Sequence, residues 1–195
     1  MSFKINDEKP RKTIWIVCKG KKLMCSLEEL IGEKDKFAIQ YKILGVERPF
    51  ILGHICYWIK GEPIGDFQSS TILSDVYVFL PRILYNNDNR QHEKLFKMKK
   101  EDVLYLLGGQ AYLDDDKYEE QALIEMWSRF NIEIGLDVFK GTIVKLIENA
   151  KDARAIFFSN NGFLNELYLK KGIIDRVFEI FDEKLNLIYK EMDLE

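Results

Sequence analysis

Hydrophobic and polar positions alternate most regularly between Lys36 and Ile43, where Phe37, Ile39, Tyr41 and Ile43 interleave with Lys36, Ala38, Gln40 and Lys42. A period of two puts one set of side chains on each face of an extended chain, so this run predicts a half-buried strand. After a loop containing Pro49, Gly53–Lys60 reads as a second strand. The turn-rich Gly61-Glu-Pro-Ile-Gly-Asp66 predicts antiparallel pairing back onto it. Upstream, Thr13-Ile-Trp-Ile-Val-Cys18 is β-branched and aromatic and closes in Lys-Gly-Lys-Lys, which predicts a short strand and turn after a loose, charged start over residues 1–12. Ser26 with Glu29 three residues on has the spacing of a capping box, and predicts a helical turn through Leu30 ended by Gly32.

From Ser70 the period changes. Leu73, Val76, Phe79, Leu80 and Ile83 fall at helical spacing, and Pro81 should kink or divide that helix. Asn86 to Arg90 reads as a polar loop, Lys100 to Leu107 as a helix ended by Gly108-Gly109, and the acidic stretch from Asp114 to Glu120 as leading into a further helix that ends near Trp127. Four β-rich runs follow, Arg129–Ile134, Thr142–Ile147, Ala153–Phe158 and Leu164–Leu169, separated by Gly141, Asn149 and Asn160-Asn161-Gly162 as a meander should be. Ile174, Val177, Phe178, Phe181, Leu185 and Ile188 then mark a long amphipathic helix whose stripe should cover a sheet face. The expected fold is α+β: one domain over residues 1–195, mainly antiparallel sheet with a C-terminal meander and several amphipathic helices packed on it.

Composition narrows the function classes. The chain has 195 residues, enough for one well-buried core, with 47% hydrophobic and 31% charged residues. Aromatic residues reach 13%, which is compatible with interface anchors as well as core. A net charge of −3 gives no electrostatic reason to approach nucleic acid or an anionic membrane, and suits a basic partner better. Cys18, Cys25 and Cys56 form an odd set with no Cys-x-x-Cys spacing, and no apolar secretion segment is evident at the start, so free thiols in a cytoplasmic protein are expected. Apolar runs are broken by charge well short of the roughly 20 residues of a bilayer span.

Candidate chemistry is sparse. His54 and His92 are the two histidines, and neither sits in a metal-ligand spacing, so no metal or other cofactor is expected. Cys56 lies two residues from His54, on the same face of a strand, and the pair is either packed or the nucleophile and base of a small hydrolase. Gly20-Lys21-Lys22 lacks the remainder of a phosphate loop, and no Gly-x-Ser-x-Gly elbow occurs. Asp114, Asp115, Asp116, Glu119 and Glu120 lack calcium-loop spacing, which leaves them as solvated charge or as a patch attracting a basic protein, with Tyr112 and Tyr118 as anchors. Lysines at 94, 97, 99 and 100 have only Phe96 as a neighbouring aromatic, a poor nucleic-acid surface.

The runs Ile31-Gly-Glu-Lys-Asp-Lys-Phe-Ala-Ile-Gln-Tyr41 and Cys56-Tyr-Trp-Ile-Lys-Gly-Glu-Pro-Ile-Gly-Asp66, then Thr71 and Leu73, Trp127-Ser-Arg-Phe-Asn-Ile132 and Asn165-Glu-Leu-Tyr-Leu-Lys-Lys-Gly172, resemble in order and spacing the immunity protein 42 family of bacterial polymorphic toxin and contact-dependent inhibition systems. The resemblance spans roughly residues 30 to 190 and leaves residues 1–30 as an N-terminal extension. It implies a cytoplasmic, non-enzymatic inhibitor that binds a cognate toxin, such as a nuclease domain with a basic surface, and blocks its active or substrate-binding surface; it brings no catalytic residues. The alternatives are the Cys56/His54 hydrolase and an adaptor that adds a partner strand to a sheet edge.

Overall fold

A computed structural model of the chain describes residues 15–18, 21–24, 28–47, 49–86, 89–108, 126–159 and 161–193. The alternating run forms β4 (Phe37–Glu47) between β3 (Glu28–Gly32) and β5 (Phe50–Ile59), all antiparallel, after the hairpin β1 (Trp15–Cys18) and β2 (Lys21–Met24). Two short strands, β6 (Glu62–Ile64) and β7 (Thr71–Ile72), pair with successive parts of β5 to complete a five-stranded sheet. The 61–66 turn thus folds back as the sequence predicts. A second antiparallel sheet consists of β8 (Val144–Glu148), β9 (Asp152–Phe158) and β10 (Leu164–Lys170) in meander order. The Asn149 side chain accepts from the amides of Lys151 (2.8 Å) and Asp152 (2.7 Å) to form the first of its turns.

Helices α1 (Val76–Tyr85), α2 (Glu93–Lys97), α3 (Lys100–Gly108) and α4 (Ile173–Asp193) cover these sheets. Ile174, Phe178, Phe181 and Leu185 of α4 are fully or almost fully buried against β3 and β4, as the 3.6-residue stripe requires. At such positions each side chain contributes about 1.5–3 kcal/mol through burial. Phe178 meets Phe37 at 5.6 Å and Tyr57 at 5.8 Å between ring centres. The three-stranded sheet is buried on both faces: Val144, Leu146, Ala155 and Phe157 join the main core, whereas Ile147 and Ile156 join a smaller one with Leu95, Val103 and Phe130. The α+β, single-domain expectation therefore holds, with the antiparallel strands divided between sheets.

Three local expectations do not hold. The segment expected to be a capped helical turn is β3: Glu29 stands across from Tyr41 and accepts its hydroxyl at 2.9 Å, while Lys184 reaches the same carboxylate at 2.6 Å, so tertiary partners take the group a capping box would use. Of the two outcomes expected at Pro81, a kink or a division, the division does not occur: α1 runs on through it, because Leu80 and Ile83 on either side are both fully buried and hold the helix to the core through the missing hydrogen bond. Arg129–Ile134 is not a fourth meander strand. Trp127–Phe130 is a 3-10 turn and Asn131 makes one bridge to Lys145, after which the Glu133 carboxylate takes the Val144 amide (2.6 Å) that a strand backbone would take. The expected loose start over 1–12, the capping Ser26 and the helix entered from Asp114 lie outside the described residues.

Segment 131–134 is secured instead by Tyr57. Its fully buried hydroxyl donates to the Ile132 carbonyl (2.9 Å) and accepts from the Ile134 amide (3.2 Å). Tyr57→Phe leaves both backbone groups without that partner, and should lower unfolding free energy by roughly 1–3 kcal/mol in urea titrations, with the far-ultraviolet spectrum unchanged.

Candidate functional site

His54 and Cys56 do share the outer face of β5, opposite Lys42 and Gln40 of β4. They do not form a nucleophile and base. Cys56 is fully buried, and burial pushes its thiol up to about 12, against the weaker opposing pull of Lys34. His54 engages the 66–70 loop, with Nδ1 3.0 Å from the Ser69 carbonyl oxygen and its ring 5.7 Å from Phe67. A thiol held this far above neutral pH is a poor nucleophile, since the thiolate is the attacking form. His92 caps α2, its Nδ1 accepting from the Leu95 amide at 3.2 Å. Phe96, the aromatic nearest the Lys94 group, packs edge-on against Tyr168. Asp114, Asp115, Asp116, Glu119, Glu120, Tyr112 and Tyr118 lie outside the described residues. Among the described residues no three His, Cys, Asp or Glu side chains are placed to hold a metal ion, and no helix is long and apolar enough to cross a membrane.

Beside exposed pairs such as Lys97–Glu93 and Lys170–Asp152, the fold brings together a set of internal charges. Arg90, expected in a polar loop, is fully buried, paired with Asp175 in the first turn of α4 and donating to the Ile83 carbonyl. Glu148 at the end of β8 lies close to this pair: its backbone amide donates to the Arg90 carbonyl (3.0 Å) and its own carbonyl accepts from the His92 amide (2.9 Å). Its buried carboxylate makes no hydrogen bond, and Lys171 approaches it at 3.4 Å as an ion pair only. Arg154 is the second such group. Its guanidinium holds Glu166 through Nε (2.8 Å) and Nη2 (2.6 Å), while Nη1 donates to the carbonyls of Phe96 (3.0 Å) and Met98 (2.6 Å), closing the C-terminal end of α2. These arrangements fix the scaffold, with Arg90, Glu148 and Arg154 buried and Glu166 and Lys171 about one third exposed.

What the scaffold presents is apolar. Phe50 and Leu52 project from the outer face of β5, and Ile72 stands across from Leu52 on β7; the three are 52%, 44% and 37% exposed. The strip opens into a cleft of about 560 Å³ whose far wall is Val78 and Phe79 of α1 and whose edge carries Asp75 and Asp137. Periodicity does not reveal this surface, because Leu52, Ile72 and Val78 are the residue types of a core. The one signal is that Val78 falls between the buried positions Val76 and Leu80 of the α1 stripe.

The chain matches the family model for Immunity protein 42 over residues 24–184. No curated protein matches it. Among solved structures it is similar to CdiI from Burkholderia dolosa AUO158, with a TM-score of 0.63 and 18% sequence identity, covering 80% of this chain and 99% of that chain. At that identity the likeness is one of fold.

Two outcomes test the site geometry. With Cys18 and Cys25 replaced by serine, a thiol reagent at neutral pH should leave Cys56 unlabelled until urea unfolds the protein, and His54→Ala should change nothing; rapid labelling abolished by that substitution would revive the hydrolase. The second concerns Glu148, whose carboxyl is held above its ordinary value of 4.5 by burial first and Asp175 second, despite Lys171 and Arg90. The folded protein keeps this proton to higher pH than the unfolded chain, so the group favours folding most at low pH and its contribution declines as pH rises through the folded pKa. Glu148→Gln should therefore gain stability relative to wild type as the pH rises above the ordinary carboxyl value of 4.5, in paired denaturation curves.

Proposed function

Since the chain belongs to the Immunity protein 42 family, we propose that it is an immunity protein that binds a cognate bacterial toxin domain in the cytoplasm and neutralises it by covering the toxin's active or substrate-binding surface. The observation that carries this reading is the extent of the match, which runs from the end of β2 into the second half of α4 and so takes in both larger sheets and the helices between them. Physical considerations agree. Inhibition by coverage needs a rigid body and a complementary surface with a few anchors, and needs no bond to be made or broken. A buried, unactivated Cys56 beside a histidine engaged elsewhere fits a chain selected for binding.

The partner is a protein with a basic face, and a nuclease domain is the toxin class that suits it best, because a surface built to hold phosphates is cationic. The net charge of −3 favours that encounter, and Asp114, Asp115, Asp116, Glu119 and Glu120 concentrate negative charge within seven residues. In this reading the acidic stretch steers the toxin in, and Tyr112 and Tyr118 anchor it.

Co-expression with the C-terminal domain of the toxin encoded beside it should restore growth, and the two chains should co-purify. With that complex in hand, replacing the five carboxylates by lysine should lower the association rate by about tenfold or more at low salt and flatten its dependence on ionic strength. Growth arrest undiminished by this chain would remove the immunity reading, whereas unchanged association kinetics would remove only the acidic stretch.

A further inference from the structure

The exposed apolar residues on the outer face of the five-stranded sheet gather at one end, apart from Leu30 on the edge strand β3, which is 44% exposed. At the other end Ala38 and Cys56 are fully buried, and Trp58 is half-buried, with the Lys34 ammonium 3.7 Å from its ring centre and its indole N–H donating to Gln40 at 2.7 Å. At the open end Phe50, Leu52 and Ile72 form a continuous strip that runs into the cleft, where Val78 is 73% exposed. Apolar side chains left uncovered together, beside others of the same face that are covered, are what a protein-binding surface looks like before its partner arrives.

The cleft is also charged in one sense. Asp75 and Asp137 line it, and among the described residues no Lys, Arg or His does. Asp75 precedes α1 but makes no capping hydrogen bond, whereas Asp66, in the adjoining loop, is engaged by the amides of Gln68 (2.9 Å) and Ser69 (3.3 Å). The two cleft carboxylates are therefore solvated groups that an uncharged apolar partner would desolvate without compensation. A second copy of this chain would do worse, because a two-fold contact would bring each carboxylate pair near its own image. A segment with an apolar side chain flanked by Lys or Arg satisfies both requirements.

Resting on the immunity reading, we infer that the toxin seats on this end of the sheet, placing an apolar side chain between Ile72 and Val78 and a cationic one beside Asp75 and Asp137. The site is built rather than improvised. Its α1 wall is fitted tightly to segment 135–137, since a Cβ added at Gly135 would lie 2.4 Å from Cε1 of Phe79. Beneath the strip, a Cβ at Gly53 would lie 2.4 Å from Cδ1 of Leu73.

The test measures binding of the purified full chain to the cognate toxin domain by calorimetry, with thermal melts to confirm folding. Leu52→Glu and Val78→Glu should each weaken binding by about 30-fold or more, the loss expected of a central anchor. The milder pair Asp75→Asn with Asp137→Asn, which preserves shape, should weaken binding and reduce the salt dependence of the affinity. Leu187→Glu, an equally exposed apolar position on α4, should change affinity by less than about threefold. Hydrogen exchange of wild type with and without toxin adds a readout free of substitutions: amides over 70–79 and 135–137 should slow in the complex. Folded variants that bind as wild type does, or protection confined to another surface, overturn this placement while leaving the immunity reading intact. Loss of Val78-dependent self-association with toxin affinity unchanged would assign the face to a second copy instead, and failure of wild type to bind removes both readings.

Discussion

The Tyr57 hydroxyl is where the two larger sheets are tied together. The ring belongs to β5, packed 4.5 Å from Phe139 and 5.5 Å from Phe37 between ring centres, and the hydroxyl closes on the backbone at Ile132 and Ile134. On its other side that backbone meets β8, through the Ile132 amide on the Val144 carbonyl (3.3 Å) and the Glu133 carboxylate on the Val144 amide. An irregular segment lying between two sheets must find partners for polar groups that regular pairing would have satisfied, and each unmet group would cost about 1–3 kcal/mol. One phenol and one carboxylate supply them. The same segment continues into Gly135 and Asp137, so the group that joins the sheets also sets the wall of the cleft.

Buried charge plays a second, separate part. Arg90 and Asp175 bring the loop before α2 to the start of α4, where a carboxylate is favoured by the unpaired amides of the helix end. Arg154 and Glu166 lock β9 to β10 and both to α2. Such pairs rarely add much net stability, because removing two ions from water offsets most of their attraction. Their geometric demand is what distinguishes them: an arginine that must reach both a carboxylate and a backbone carbonyl tolerates one placement of the surrounding elements. Glu148 shows the limit of the device, since its carboxylate sits in the same cluster with no hydrogen bond and a raised affinity for a proton.

How far the sequence could be read follows from the same physics. β4 and α4 were legible because each has one face in the core, and burial writes the period of the backbone into the spacing of apolar residues, whereas the β8–β10 meander, buried on both faces, was legible from its apolar runs and the turn residues between them. β3 was misread because Ser26 and Glu29 have capping-box spacing while Glu29 is held by Tyr41 and Lys184, partners far along the chain. Residues 129–134 read as a strand because Phe130, Ile132 and Ile134 alternate, and all three are indeed fully buried; what periodicity could not show is that one strand position beside β8 is taken by a side chain. Arg90 gave no signal, because an arginine in a polar run looks solvated until its partners at Asp175 and Ile83 are known. The open end of the sheet was illegible for the converse reason, since Leu52, Ile72 and Val78 look like core until the fold shows them exposed.

An inhibitor that works by coverage gains most from surfaces that do not rearrange, because every side chain or loop ordered on binding subtracts about 0.5–1.5 kcal/mol from the affinity. The proposed surface meets that demand in its construction. Leu52 and Ile72 stand on paired strands, Val78 on a helix whose inner side chains Val76, Leu80 and Ile83 are fully buried, and Asp137 in a 3-10 turn next to the segment fixed by Tyr57. On the proposed seating, affinity would draw on apolar side chains held in place from beneath as well as on the Tyr112 and Tyr118 anchors, and discrimination on two carboxylates that reward a cation and penalise its absence. An acidic stretch acting at longer range would add encounter rate without altering which partner fits. Division of labour of this kind lets a chain of modest net charge bind tightly, because long-range attraction need not supply the energy that packing provides.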